Sequence, residues 1–457
     1  VAAAEVDVVV IGLGPGGEHL AASLAREGLS VVGVDRRLVG GECPYFGCIP
    51  TKMMIRAADA LAEARRVEGL AGVADVHPHW DDVAGRIRDE ATDDWDDKVA
   101  VERLEKAGAR FVRGHARLAG PGRVTVQTAD GTQELSVRRG VVLNTGTEPA
   151  VPPIDGLAGT PYWTNRDVVR LPELPASLAV LGGGAIGCEL AQSLARFGVD
   201  VTIVEAGERI LGPEEPEASE VVTKALEAEG ITVRAGVGAE QVSYDGAFSL
   251  RLADGSTVGA SSLLVAAGRR MNLGDIGLDT VGLDPSARSI EVDERMRASD
   301  GLWAVGDITG KGAFTHISMY QANVAIRDLT GADGPWADYR AVSRVTFTDP
   351  EVGSVGMTEK QARDAGLDVA TAVAPLPESS RGWIHKVDNE GLVKVVADAG
   401  RGVLVGATTV GPAGGEILGM LVTAVHAEVP VATLRGMHFA YPTFHRTIET
   451  ALGDLGL

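Results

Sequence analysis

A glycine-rich turn between a hydrophobic strand and a helix occurs twice, 170 residues apart, and this repeat restricts the fold more than any other feature. The first copy runs Val6-Asp7-Val8-Val9-Val10-Ile11 into Gly12-Leu13-Gly14-Pro15-Gly16-Gly17, then a helix over 18–28 and a strand from Val31 to Val34 ending in Asp35. The second is Leu181-Gly182-Gly183-Gly184-Ala185-Ile186-Gly187, a helix, then Val201 to Val204 and Glu205. Gly12 pairs with Gly182, Gly14 with Gly184, Gly17 with Gly187 and Asp35 with Glu205, and Leu20, Ala21, Leu24 and Gly28 recur as Leu190, Ala191, Leu194 and Gly198. Such glycines let the backbone approach a pyrophosphate at a helix N-terminus, and the acidic residue receives a ribose hydroxyl. Two unrelated glycine turns would not require a carboxylate at the same offset, so the repeat predicts two dinucleotide-binding domains in an α/β chain. A carboxylate at Glu205 repels the extra phosphate of NADPH, so the second site is expected to prefer NADH.

Between the copies lies Gly40-Gly41-Glu42-Cys43-Pro44-Tyr45-Phe46-Gly47-Cys48-Ile49-Pro50-Thr51-Lys52, which holds two of the three cysteines in the chain. Positions five apart on a regular helix are too far along its axis for a relaxed bridge, which needs Cα atoms roughly 4.4–6.8 Å apart. Pro44 and Gly47 permit the irregular turn that a redox disulfide needs. From Thr51 the pattern turns helical, with Thr51 as the expected cap and the helix end favouring a thiolate at Cys48. A pair of small buried thiols or a metal half-site are the other readings; with no further Cys or His ligand in the next twenty residues, no metal site is assigned. The third cysteine, Cys188, lies in the second glycine-turn helix and is expected to be buried.

The formal net charge of −21, from 63 acidic and 42 basic side chains, argues against nucleic acid or an anionic membrane as partner. No apolar run reaches the length of a membrane span, and the first residues do not resemble a signal peptide, so a cytoplasmic protein is expected. The acidic stretch from Trp80 to Lys106 reads as mostly helical with a solvated face. Alternating strands are expected at 391–398 and 403–410.

The two fingerprints and the cysteine stretch resemble the FAD-dependent pyridine nucleotide-disulfide oxidoreductases, a family that includes dihydrolipoamide dehydrogenase, mycothione reductase and mercuric reductase. The resemblance spans essentially the whole chain. It implies two Rossmann-like domains, for FAD and NAD, plus a C-terminal α+β dimerisation domain. Residues 1–150 and 271–340 would form the FAD-binding parts, 151–270 the NAD-binding domain and 341–457 the homodimer interface, with a hinge at the prolines from Pro149 to Pro153. Cys48 would be the charge-transfer thiol, and Cys43 would exchange with substrate. Lys52 would sit near the flavin N5 edge and pair with Glu189; the bland alternatives are a solvated lysine and a helix-surface carboxylate. FAD would be held by Gly12, Gly14, Gly17, Asp35, Arg36, Gly41 and Lys52, and by the backbone of Gly114 and Ala116 beside the adenine. Thr145, Gly146, Gly268, Gly306, Asp307 and His316 complete that set, although a packed role for His316 stays open, and His115 is expected only to pack. Gly182, Gly184, Gly187 and Glu205 would hold NAD(H).

The chain departs from the disulfide reductases near its end. Where they carry His-Pro-Thr followed by Glu, this sequence has Tyr441-Pro442-Thr443-Phe444-His445-Arg446. A histidine near pKa ~6.5 takes a proton from a dithiol at neutral pH, whereas a tyrosine near ~10 donates one. Reduction of an acceptor with Tyr441 as proton donor is therefore the expected chemistry. His438 or His445 are alternative bases, although Thr443 could cap a final helix on which His445 and Glu449 form a surface pair. The reading is an enzyme that passes electrons from NADH through FAD to Cys43 and Cys48 and on to a small-molecule disulfide. A metal-ion or quinone reductase, and a redox sensor without rapid turnover, are the alternatives.

Overall fold

The computed structural model describes residues 4–457. In the strand Ala4–Ile11, Val8, Val9 and Val10 have no exposed surface, so the strand is covered on both faces. Val8 and Val10 pack with Leu20, Leu24 and Val324, while Val9 and Ile11 pack with Val126, Leu135 and Leu278. That division explains why this strand reads as a continuous apolar run, as parallel strands between two layers do. Parallel neighbours flank it: 131–143 on one side, 31–35 and then 110–113 on the other, with 302–304 beyond 131–143. The strands 115–118 and 123–128 extend the same sheet as an antiparallel flap.

This sheet belongs to one of two compact units, made of the chain up to Pro50 with Gly85–Pro149 and Arg269–Asp338. The other unit comprises Thr51–Ala84, Ala150–Gly268 and Tyr339–Leu457. Residues 51–84 thus cluster with the second unit, which differs from a contiguous first segment of 150 residues: the ion pairs of Lys52, Asp59 and Arg66 all reach residues of that unit.

The second unit contains a four-stranded parallel sheet in the order 232–235, 200–205, 177–181, 262–265, beside a three-stranded antiparallel sheet over 239–260. A five-stranded antiparallel sheet follows, in the order 343–346, 351–356, 403–411, 392–398, 369–375. Leu392–Asp398 and Val403–Gly411 are buried at every position, contrary to the alternation expected from sequence. One face packs on the helices Gly414–His426 and Thr447–Asp454, and on the other Lys394 meets Glu215, Glu217 and Glu359. The acidic stretch is also less uniform than expected. It is helical at Trp80–Arg86 and Lys98–Lys106 and its charges are mostly exposed, but Asp97 is buried.

Candidate active site

The two glycine turns share a hydrogen-bond frame as well as a sequence. Gly12 N–H donates to Val34 O and Gly182 N–H to Val204 O, both at 2.8 Å. The Asp35 carboxylate accepts from Leu13 N and Arg37 N at 2.7 Å each, and the Glu205 carboxylate accepts from Gly183 N and Gly207 N at 2.6 Å each. Every one of these donors is displaced by the same 170 residues. A Cβ on Gly12 would come within 2.3 Å of Asn144 O, and one on Gly182 within 2.4 Å of Ala266 O, so both turns require glycine for close approach as well as for positive φ. Burial holds Asp35 above the ordinary carboxylate range, although its two amide donors oppose the rise.

Both turns lead into helices of 12 residues, Pro15–Arg26 and Ala185–Arg196, whose N-cap positions Gly14 and Gly184 offer no side-chain cap. Amides at uncapped helix ends beside bare glycines fit a pyrophosphate, which satisfies them and the helix dipole together. The residues present therefore fit two dinucleotides.

The cysteine segment is built against the first turn. Gly40 N–H donates to Leu13 O at 2.7 Å, and a Cβ on Gly41, which has φ of 69°, would lie 2.8 Å from Gly14 Cα. Cys43 falls in the short helix Glu42–Tyr45, and Cys48 begins the helix Cys48–Arg65. The chain between the cysteines is irregular at Phe46 and Gly47, but the long helix starts three residues earlier than expected, so Thr51 lies inside its first turn and does not cap it. Cys48 is exposed and Cys43 half-buried. Cys48 Sγ lies 3.4 Å from Thr315 Oγ1, at the start of the helix Thr315–Thr330. That helix meets the first fingerprint helix so closely that a Cβ on Gly16 would come within 2.2 Å of Ser318 Oγ. Fingerprint turn, cysteine segment and the N-terminus of Thr315–Thr330 thus converge.

Around this point, Thr147 Oγ1 donates to Asp307 Oδ2 at 2.6 Å, and Gly306 N–H donates to Gln321 Oε1 at 2.6 Å. Thr145 and Asn272 exchange two hydrogen bonds, and Gly146 O accepts from Asn272 N. Gly114 N–H donates to Asp35 O at 3.0 Å, Ala116 is buried, and Arg36 lies 3.7 Å from Asp275. The His316 ring stacks on Phe314, and His115 sits 3.4 Å from the same Asp275. In the second unit Gly268 takes φ of 109° and its carbonyl accepts from Ala150 N. Asn144, Thr147, Ser318 and Gln321 escaped the sequence reading. Asn144 touches the first turn directly, its Nδ2 lying 3.3 Å from Gly12 O, and the signal was its place just past the strand ending at Leu143.

Within the second unit Lys52 Nζ lies 2.7 Å from Glu189 Oε2, and Phe347 N–H donates to Glu189 Oε1 at 2.8 Å. Glu189 is only 5% exposed, which rules out a helix-surface carboxylate. Farther along the same helix, Arg196 contacts Asp59, Glu229 and Asp349 at 2.6–2.7 Å. Cys188 is fully buried, and burial pushes its thiol far up. Tyr441 is 68% exposed with the Arg446 guanidinium 5.3 Å from its ring. Thr443 does not cap a helix with its side chain; its hydroxyl donates to Ala440 O, and Glu449 pairs with Arg446 rather than His445. Among the described residues no group of three or more His, Cys, Asp or Glu could hold a metal, and no helix is long and apolar enough to cross a membrane.

Residues 6–327 match the model for pyridine nucleotide-disulphide oxidoreductases, and 342–452 match the dimerisation domain of the same group. The dihydrolipoyl dehydrogenase of Chlorobaculum tepidum is 34% identical over 459 residues, covering 99% of this chain and 97% of that protein. The mercuric reductase of Shigella flexneri is 33% identical, covering 96% and 79% respectively. Among solved structures, LpdA from Mycobacterium tuberculosis matches with a TM-score of 0.87 at 26% identity over 99% of this chain and 100% of its own. The flavoprotein disulfide reductase RclA from Escherichia coli, induced by HOCl, matches at 0.84 and 26%, over 98% and 100%. With both halves of its length matched in order, the chain belongs to the pyridine nucleotide-disulphide oxidoreductase family, and is a flavin-dependent enzyme of that family.

Proposed function

We propose that this enzyme reduces a small disulfide at the expense of NADH, with Cys43 and Cys48 as the immediate donors. The observation that carries this reading is the convergence of the first glycine turn, the cysteine segment and the helix Thr315–Thr330 on Cys48. Bound FAD supplies the two-electron relay between a reduced nicotinamide and the sulfurs. Gly12, Gly14, Gly17 and the helix end would hold its pyrophosphate, Asp35 and Arg36 its adenosine side together with the backbone of Gly114 and Ala116, and Asp307 its ribityl chain.

The residues themselves divide the remaining work. Cys48 opens a helix of 18 residues, whose positive end favours a thiolate, and the Thr315 hydroxyl is within reach to donate to it. Cys43 attacks the acceptor disulfide; one acceptor sulfur leaves, Cys48 then displaces the other, and the Cys43–Cys48 bond forms as two electrons pass to the acceptor. Each departing thiolate needs a proton, and an exposed phenol such as Tyr441 can donate one. In a homodimer built on the C-terminal domain, Tyr441 would serve the partner's site. Lys52, one helical turn beyond Cys48, would face the flavin edge and is fixed by Glu189, itself anchored on Phe347 N. For the coenzyme, Glu205 is locked by two amides, and Arg209 is engaged with Gly212 O and Glu214 O, which leaves the acidic character of the site unopposed by that side chain.

The mercuric reductase relatives favour one second reading, a metal-ion reductase using the same dithiol. Anaerobic titration with NADH should take up two electrons beyond flavin reduction and give a long-wavelength thiolate–flavin absorbance, both lost in Cys48→Ser. Uptake that stops at the flavin would refute the dithiol reading. Turnover with disulfides, quinones and Hg(II) in parallel separates the acceptor classes.

A further inference from the structure

The segment that follows the helix Trp80–Arg86 takes a strained path. It continues as a π-helical turn, Ile87–Ala91, after which Asp93, Asp94 and Trp95 all adopt positive φ, at 48°, 53° and 58°. Three successive non-glycine residues in the left-handed region are disfavoured, and π turns concentrate at functional sites. Thr92 fixes the turn by donating to Ile87 O at 3.0 Å and accepting from Trp95 N at 3.4 Å. The result is one grip on the cysteine segment and one on the residue just before it. Trp95 Nε1 donates to Tyr45 O at 3.0 Å, and the buried Asp97 carboxylate accepts from Val39 N at 2.6 Å while Arg113 holds it in place. Glu42, the first residue of the short helix, lies 3.3 Å from Arg269. The short helix carrying Cys43 is therefore held at both ends within one unit, and Trp95 is a side-chain hold that falls between the two cysteines in the chain.

We propose that Trp95 is a positioning residue for the cysteine pair. Both cysteines are thiols in this structure, and the indole N–H, by fixing the Tyr45 carbonyl, restricts the chain between them before any bond forms. A loop already ordered before closure loses less entropy when the bond forms, so the hold favours the disulfide. This inference rests on the redox reading of Cys43 and Cys48. In the step concerned, two thiols lose two electrons and two protons, one S–S bond forms, and glutathione disulfide, the oxidant, becomes two glutathione thiols.

The test is equilibration of the holoenzyme with glutathione buffers, anaerobically and without nicotinamide, followed by acid quench, alkylation and mass measurement. Trp95→Phe, which keeps an aromatic ring but has no N–H, should lower the equilibrium constant for disulfide formation about three- to tenfold, equivalent to about 15–30 mV. Trp80→Phe removes an indole hydrogen bond of the same kind, to Leu171 O at 2.9 Å, from the second unit and should leave the constant unchanged. An unchanged constant in Trp95→Phe, a shift of opposite sign, or equal shifts in both variants would overturn the proposal. Should Trp95→Phe not fold, a benzothienyl-alanine at position 95, lacking only the N–H, makes the same comparison. Failure of the native protein to form the Cys43–Cys48 disulfide at any buffer ratio would instead overturn the redox reading itself.

Discussion

Replacing Glu205 should change which coenzyme the enzyme uses. Its two oxygens accept from Gly183 N and Gly207 N at 2.6 Å, so the carboxylate cannot swing away from an approaching 2′-phosphate without releasing two charge-assisted hydrogen bonds. A phosphate carrying about −1.5 to −2, roughly 5 Å from this charge in an effective dielectric of about 40, is repelled by about 2.5–3.3 kcal/mol. That predicts roughly 70–270-fold in favour of NADH for the native enzyme. In Glu205→Ala the repulsion disappears and both amides become donors for a phosphate, while NADH loses a hydrogen bond to a charged group, worth about 1.5–3 kcal/mol. The ratio of kcat/KM for NADPH to that for NADH should therefore rise by at least about 100-fold. Anaerobic stopped-flow reduction of the flavin at varied coenzyme concentration measures the ratio without an acceptor. A change of less than about threefold, or a native enzyme already faster with NADPH, would refute the electrostatic argument.

Arg196→Met leaves Asp59, Glu229 and Asp349 around a lost cation that was only 2% exposed, and should cost about 3 kcal/mol, the low end for a broken buried pair because Asp349 keeps Arg66. Thermal unfolding of the holoenzyme should show a fall in Tm of about 3–5 °C, and a fall under about 1 °C would mean the cluster is well solvated. Burial raises the Asp59 carboxyl to about 6, so its favourable contribution is present at acid pH and is lost as pH rises through 6. With that side chain 41% exposed the loss is screened to about 1 kcal/mol, and Asp59→Asn should flatten the Tm profile between pH 4.5 and 7.5; parallel profiles would count against it. Tyr441→His supplies a base near pKa ~6.5 and should raise oxidation of dihydrolipoamide by at least about tenfold at pH 8, measured as NADH formation, with an unchanged rate contradicting the proton argument.

The parts of this molecule legible in the sequence are those fixed by short spacing. A glycine turn, its helix and the acidic end of the next strand are set by neighbours in the chain, and the 170-residue repeat shows that both copies obey the same local geometry. The pairing of Lys52 with Glu189 was open to a resemblance because each lies in a recognisable motif. Asn144, Asp97 and Trp95 were not legible, since each acts on a residue 50 or more positions away: Asn144 on Gly12, Asp97 on Val39, Trp95 on Tyr45. An aspartate within an acidic helical stretch reads as solvated until the tertiary fold brings an amide and an arginine to it. For the same reason, full burial of the strands at 392–398 and 403–411 follows from what covers them and not from their own pattern.

The two turns share their hydrogen bonds, yet their surroundings suit them to different tasks. Around the first, Gly41 packs on Gly14, Ser318 packs on Gly16, and the Asn144 amide lies 3.3 Å from where a Gly14 Cβ would stand. A nucleotide held there is enclosed by the cysteine segment and by the helix Thr315–Thr330, which suits a cofactor that stays through many turnovers. Around the second, a Cβ on Gly183 would lie 2.6 Å from Ile210, but one on Gly184, at the helix N-cap, would meet no atom within 4 Å. Equal hydrogen-bonding capacity with less enclosure gives weaker, faster exchange, because fewer contacts must break for the ligand to leave. The two copies of the turn thus differ in what packs on their glycines rather than in the glycines themselves.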